Sequence, residues 1–172
     1  MSDPVPEKLV VFAHGKESGP WGTKITHLAS TARARGFEVL SPDYSHTMDP
    51  HERVAQLARL APRARCLVLV GSSMGGYVSA MACARLAPRA LFLMAPALYF
   101  PGWDEEPSGI PPLCTVVHGW DDDIVPVERA LRFASVHRPE LHLLHSGHTL
   151  NDQLPMLASL LDALLGRAVA AA

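Results

Sequence analysis

The stretch LVLVGSSMGGYVSA, residues 67–80, decides how this chain is read. An apolar run of strand character passes straight into glycines and serines, and small residues at helical spacing follow at once. A strand that reverses this abruptly into a helix brings the residues two before and two after the turning residue close together, so a side chain at either flank would clash. In one register, Gly71, Ser72, Ser73, Met74, Gly75, a serine stands midway between glycines. Shifted by one, Ser72 would have Val70 and Met74 as flanks. Ser73 is therefore the candidate nucleophile and Ser72 its neighbour. Taken alone, the pattern also fits a plain Gly/Ser turn; a phosphate cradle would want a Lys followed by Ser or Thr, which this turn lacks.

Outward from that turn, short β-rich runs alternate with helical patterns. The runs cover 8–13, 37–42, 66–71, 90–96, 114–119 and 141–146. Between the first two, Ile25, Leu28, Ala29 and Ala32 repeat at helical spacing and Gly36 closes the segment. Asp49, Pro50 and Glu52 read as N-cap, first helical position and capping-box acid ahead of Val54, Leu57 and Ala58. Further helices are predicted at 74–87, about 126–137 and 151–165, the last stacking Leu154, Leu157, Leu161 and Leu164, ending at Gly166 and leaving a frayed RAVAAA tail. Strands apolar on both faces and separated by helices predict an α/β fold, a three-layer α/β/α sandwich on a mostly parallel six-stranded sheet, with residues 1–172 as a single domain.

Composition narrows the partners. With 48% hydrophobic and 19% charged residues the 172-residue chain suits one packed core, and a formal charge of −2 without blocks of either sign offers no footprint for nucleic acid or anionic membrane. The N-terminus lacks the basic-then-apolar layout of a secretory signal, and the apolar runs read as too short and too proline-broken to cross a bilayer, so a cytoplasmic location is expected. Cys66, Cys83 and Cys114 are unpatterned among apolar neighbours and read as reduced core residues, not as a disulfide framework or metal site.

A serine hydroxyl needs a general base within hydrogen-bond reach and a carboxylate to orient that base. Both residue types follow later strands: HGWDDDIVP at 118–126 and SGHTLND at 146–152. With the serine turn, these loops resemble the α/β-hydrolase superfamily, in which an HGxxDxxVP loop carries the acid and a Gly-His step after the final strand carries the base. The resemblance implies Asp122 as the acid and His148 as the base. Read as residues alone, Asp121 and Asp123 remain solvated or capping carboxylates beside the candidate, and His145 is a competing histidine in the strand pattern. The resemblance further implies an oxyanion hole made by the N–H of Met74 and a second N–H from the loop FAHGKESGPWG at 12–22, whose His-Gly step nominates Lys16 and leaves His14 as a loop brace. Against the superfamily's common eight strands, the first two are missing here. A sheet order of 2-1-3-4-5-6 would make the His14 and Ser73 loops meet at the switch point, where open α/β sheets bind ligands.

No insertion is long enough for a lid domain. The irregular segment 96–112, with Tyr99, Phe100 and Trp103, is the candidate for a short pocket rim, and Trp21 and Trp120 also fall in loops after strands, so Trp21, Tyr99, Trp103 and Trp120 are the candidate substrate-binding side chains. The expected activity is a serine hydrolase acting on a small carboxylic ester through an acyl-enzyme, with no metal or organic cofactor. A thioester would use the same apparatus. A binding or regulatory module that keeps the fold without turnover is the alternative from another class, and metal hydrolysis by some of the nine histidines finds no H-E-x-x-H spacing.

Overall fold

The computed structural model describes residues 4–172. The strands are β1 (Lys8–Ala13), β2 (Glu38–Leu40), β3 (Cys66–Ser72), β4 (Ala90–Met94), β5 (Leu113–Gly119) and β6 (Glu140–Leu144). All pair in parallel, in the order β2-β1-β3-β4-β5-β6. The helices are α1 (Thr23–Ala34), α2 (Pro50–Leu60), α3 (Met74–Leu86), α4 (Val127–His137) and α5 (Leu154–Ala170). The fold class and strand order are those expected.

Strand periodicity sorts the core into two layers. Val10, Phe12, Val68, Val70, Phe92, Met94 and Val117 face α1 and α5, packing on Ile25, Leu28, Leu157, Leu161 and Leu164. Leu9, Val11, Leu67, Leu69, Leu91, Leu93 and Val116 face the other way, onto Leu57, Tyr77, Val78, Ala130 and Phe133 of α2, α3 and α4. Each such side chain, removed fully from water, contributes about 1.5–3 kcal/mol. The strands carrying the candidate nucleophile and its neighbour, β3 and β4, are buried along their whole length, which is why their sequences are continuously apolar.

Local signals place the ends. Asp49 caps α2 by accepting the His51 N–H at 2.8 Å, as expected. Glu52 takes the Thr47 hydroxyl, which in turn accepts the Asp49 N–H at 3.1 Å, so the capping box closes through a threonine. Cys66, Cys83 and Cys114 are buried free thiols.

Two expectations about the C-terminal helix are corrected. It runs through Gly166 to Ala170 instead of stopping, because the missing side chain makes room for the Arg35 guanidinium, which would lie 3.1 Å from a Cβ there while holding Asp162. Ala168 is fully buried and Arg89 bonds the Ala171 carbonyl, so the tail is fastened. The stretch Asn151–Ala170, 20 residues at mean hydropathy 1.2, is also long and apolar enough by length and composition to span a bilayer, contrary to the expectation from shorter runs. Here Leu157, Leu161, Leu164 and Leu165 have no exposure and form the floor of the sheet.

Candidate active site

Ser73 is the single residue between the end of β3 and the start of α3, with φ 54° and ψ −119°. A non-glycine residue in this region carries roughly 1–3 kcal/mol of strain, which the surroundings must hold. They do so at backbone distance: a Cβ on Gly71 would lie 2.2 Å from the Gly75 carbonyl oxygen, and one on Gly75 would lie 1.9 Å from that of Ala13. The Ser73 N–H donates to Met94 O at 2.9 Å, and its own carbonyl accepts the N–H groups of Gly76 and Ala97, both at 2.9 Å. The turn is locked from β4 and α3 together.

His148 arrives from the loop after β6 and Asp122 from the loop after β5. The Nε2 of His148 is 3.0 Å from Ser73 Oγ and its Nδ1 is 2.8 Å from Asp122 Oδ2. Asp122 Oδ1 accepts the N–H groups of Ile124 (2.9 Å) and Val125 (2.8 Å), and its side chain is fully buried. An ionised carboxylate only accepts, so Nδ1 carries the ring proton and Nε2 is left to accept from the hydroxyl. A Cβ on Gly119 would come 2.2 Å from Ser146 O, so the end of β5 lies flush against the His148 loop. His145 and Asp121 are both exposed, 3.6 Å apart on the outer surface, and Asp123 is exposed as well.

His118 was not singled out in the sequence. It is fully buried, donates Nε2–H to Val125 O at 2.8 Å and lies 3.3 Å from Asp122 Oδ2. Burial holds its pKa below 6.5, so it braces the Asp122 loop as a neutral ring. Its signal was legible in HGWDDDIVP, as a histidine inside an otherwise apolar buried strand.

Met74 is the first residue of α3, and its N–H is one that no helix can pair internally. Across from it, a Cβ on Gly15 would sit 3.5 Å from Ser73 Cβ, which brings the Gly15–Lys16 peptide alongside Ser73. A cleft of about 540 Å³ opens here, with Lys16, Ser73, Met74 and His148 on its floor and Phe100, Trp103, Ile124 and Val125 among its walls.

Of the four aromatic side chains singled out, Trp103 lines this cleft. Trp21 is 49% exposed and lies under the Arg33 guanidinium, outside it. Trp120 is 54% exposed, also outside. Tyr99 is buried beneath the rim with its hydroxyl donating to Glu106 at 2.8 Å. Strand-following loops share one end of the sheet, yet each turns its side chains separately, which position in the sequence does not reveal. Phe100 takes the wall position, held by the Arg129 guanidinium 4.0 Å over its ring.

Lys24, at the start of α1, also lines the cleft and was not anticipated. Its ammonium donates to Thr149 O at 2.5 Å, and burial lowers its pKa to about 8 despite the opposing charge of Asp122. As the second residue of α1 it carries no local signal of burial, and the loop holding Thr149 lies against it.

Residues 10–171 match the model of the Alpha/beta hydrolase family. Among solved structures, a protein of Xanthomonas campestris pv. campestris classed with the hydrolases of the alpha/beta superfamily is 28% identical, with a TM-score of 0.85 over 95% of this chain and 99% of its own. An α/β serine hydrolase without a lid, from Xanthomonas campestris, is 24% identical with a TM-score of 0.73, over 96% and 85% of the two chains. Est1E from Butyrivibrio proteoclasticus, in its complex with ferulic acid, is 16% identical with a TM-score of 0.80, over 98% and 92%. The latter two are likenesses of fold. No curated protein matches the chain by sequence.

Proposed function

Because the chain belongs to the alpha/beta hydrolase family, we propose that it is a serine hydrolase that cleaves a small carboxylic ester through an acyl-enzyme. The observation that carries this reading is the single imidazole of His148 spanning Ser73 Oγ at 3.0 Å and Asp122 Oδ2 at 2.8 Å.

Ser73 Oγ attacks the ester carbonyl carbon while its proton moves to His148 Nε2. The carbonyl oxygen becomes an anion between the N–H groups of Met74 and Lys16. His148 then gives the proton to the leaving oxygen, the C–O bond breaks and the alcohol departs, leaving the acyl group on Ser73. A water, deprotonated by His148, repeats the attack and releases the acid. Asp122 holds the ring in the tautomer this needs and stabilises the imidazolium. The Phe100 and Trp103 wall favours an apolar acyl or aromatic group. A thioester would pass through the same steps.

The test is incubation with a fluorophosphonate, peptide mass mapping, and turnover of nitrophenyl esters and acyl thioesters of graded length. Modification at Ser73 with ester turnover is expected. A folded protein that stays unmodified and inert would instead be a binding module that retains the fold.

A further inference from the structure

Arg53 is the largest fully buried side chain among the described residues, and a buried guanidinium is costly unless its donors are met. Nε and Nη1 go to carbonyl oxygens, Nε to Thr47 O at 2.9 Å and Nη1 to Gly15 O at 3.1 Å and, more weakly, His14 O at 3.4 Å, while Nη2 meets the Met48 sulfur at 3.9 Å. The Tyr44 ring lies 5.9 Å from its charge. Gly15 O takes a second donor. His14 is fully buried, its Nε2 accepts the Tyr44 N–H at 2.9 Å, and so its proton stands on Nδ1, which donates to Gly15 O at 2.8 Å. Burial keeps this ring neutral, in agreement with that tautomer.

The Gly15 carbonyl and the Lys16 N–H belong to one trans peptide, so they point in opposite directions. With the oxygen held against Arg53 and His14, the N–H is left on the opposite side of the peptide, and Gly15, Lys16 and Ser73 line one cleft. Donation to a carbonyl oxygen also shifts amide electron density toward that oxygen and strengthens the N–H on the far side as a donor.

We propose that Arg53 and His14 are positioning residues of the oxyanion hole, clamping the Gly15–Lys16 peptide by its carbonyl and polarising the Lys16 N–H through it. The proposal rests on the serine-hydrolase reading. The clamp acts on an anion that exists only after Ser73 has attacked, so its loss falls on kcat and leaves KM nearly alone. Deleting an oxyanion donor outright costs about 10²–10³ in kcat; a donor that is retained but loosened and depolarised should cost about 10–100-fold.

The experiment compares wild type with Arg53→Met, Arg53→Lys and His14→Gln. Each is read by ester kinetics, by the rate of phosphonylation at Ser73, and by the ¹H shift of the Lys16 amide in ¹⁵N-labelled protein. Arg53→Met should lower kcat and the phosphonylation rate about 10–100-fold with KM within about twofold, and move the Lys16 amide proton upfield. Arg53→Lys, which keeps the charge and a single donor nitrogen, should recover most of both. If Arg53→Met does not fold, His14→Gln serves: its amide oxygen still accepts the Tyr44 N–H while the donor to Gly15 is gone, and kcat should fall about 3–10-fold with the same direction of amide shift. A folded variant with unchanged kcat and unchanged Lys16 shift overturns the clamp, as does a loss confined to KM. If wild type itself resists phosphonylation at Ser73, the hydrolase reading fails separately, and the amide shift still decides whether the peptide is polarised.

Discussion

One sheet carries a hollow at each end, and the larger is not where Ser73, His148 and Asp122 converge. At the amino ends of β3, β4 and β5 a cavity of about 870 Å³ lies among Arg63, Arg65, Leu86, Arg89, Ile110 and Pro111. At the carboxyl ends the cleft is about 540 Å³ and holds Ser73 and His148. The difference follows from chain direction. In a parallel α/β sheet every helix starts at the carboxyl end, where unpaired N–H groups favour negative charge, and finishes at the amino end, where unpaired carbonyls attract cations. The basic residues in the last turns of α2 and α3, Arg59 and Arg85, suit that second environment. Arg65 pairs with Glu7 and Arg89 with the Ala171 carbonyl, so those arginines fasten the two termini. At the other end the polar groups are oriented toward one another across three loops.

The largest effect should separate the two ends by activity. Ser73→Ala is expected to reduce ester turnover by about 10⁴ or more, since a triad with one member missing ceases to act as a unit. Arg89→Ala should leave turnover within about twofold, although it opens the larger cavity further. Similar losses in both variants would dissolve the contrast. Stability gives the next separation. Gly75→Ala places a Cβ 1.9 Å from Ala13 O, backbone against backbone, and should destabilise by about 4 kcal/mol or more or prevent folding. At Gly147, where the nearest atom would be 4.0 Å away, the same change should stay within about 1 kcal/mol. Urea denaturation of the two variants checks both, and a well-folded Gly75→Ala would mean that the turn is less tightly held than its contacts imply.

What the sequence disclosed and what it withheld divide along the same physical line. The strand and helix patterns, the glycines around Ser73, and the separate loop motifs that hold Asp122 and His148 are local, each readable within about ten residues. The strands themselves, α3 from Met74 and the buried face of α1 through Ile25, Leu28, Ala29 and Ala32 were therefore legible, while the strand order, also as expected, came with the resemblance to a known fold. Long-range contacts were less so. Arg53 stands three residues after Pro50 and four before Leu57, on the buried stripe of α2, and that spacing was its only signal. Gly166 read as a helix stop because its partner, Arg35, is 131 residues away in the chain. Lys24 gave no local signal at all, because Thr149, whose carbonyl it holds, is 125 residues away in the chain.

A smaller effect should appear in acid. His14 and His118, both fully buried at the carboxyl end, have pKa values pushed below 6.5 by burial. Below pH 6.5 the unfolded chain therefore binds more protons at these positions than the folded one, and stability falls as pH drops through that value toward the folded pKa values. Thermal unfolding from pH 7.5 to 5 should show Tm declining on the acid side, with a shallower decline in His118→Gln and in His14→Gln. Unchanged slopes in both would trace acid lability to other groups.

The smallest effect concerns sign. Lys24 carries its charge in the cleft wall with a pKa lowered from 10.5 to about 8. Below pH 8 both folded and unfolded chains hold this proton, so the folded state bears the whole cost of desolvating the ammonium. Between 8 and 10.5 the unfolded chain binds more protons, and stability rises with pH. Lys24→Met should therefore raise Tm at pH 7 by about 2–4 °C, roughly 1 kcal/mol once the lost bond to Thr149 is set against the relief, with the gain fading toward pH 10. In an Asp122→Asn background the gain should be larger, because the carboxylate that partly supports the ammonium is gone. Arg89→Met, at the opposite end, should lower Tm slightly by releasing the Ala171 carbonyl. Opposite signs would mean that a charge at the Ser73 end is kept at the expense of stability while one at the other end contributes to it. A destabilising Lys24→Met at pH 7 would show instead that Asp122 and Thr149 together compensate the ammonium in full.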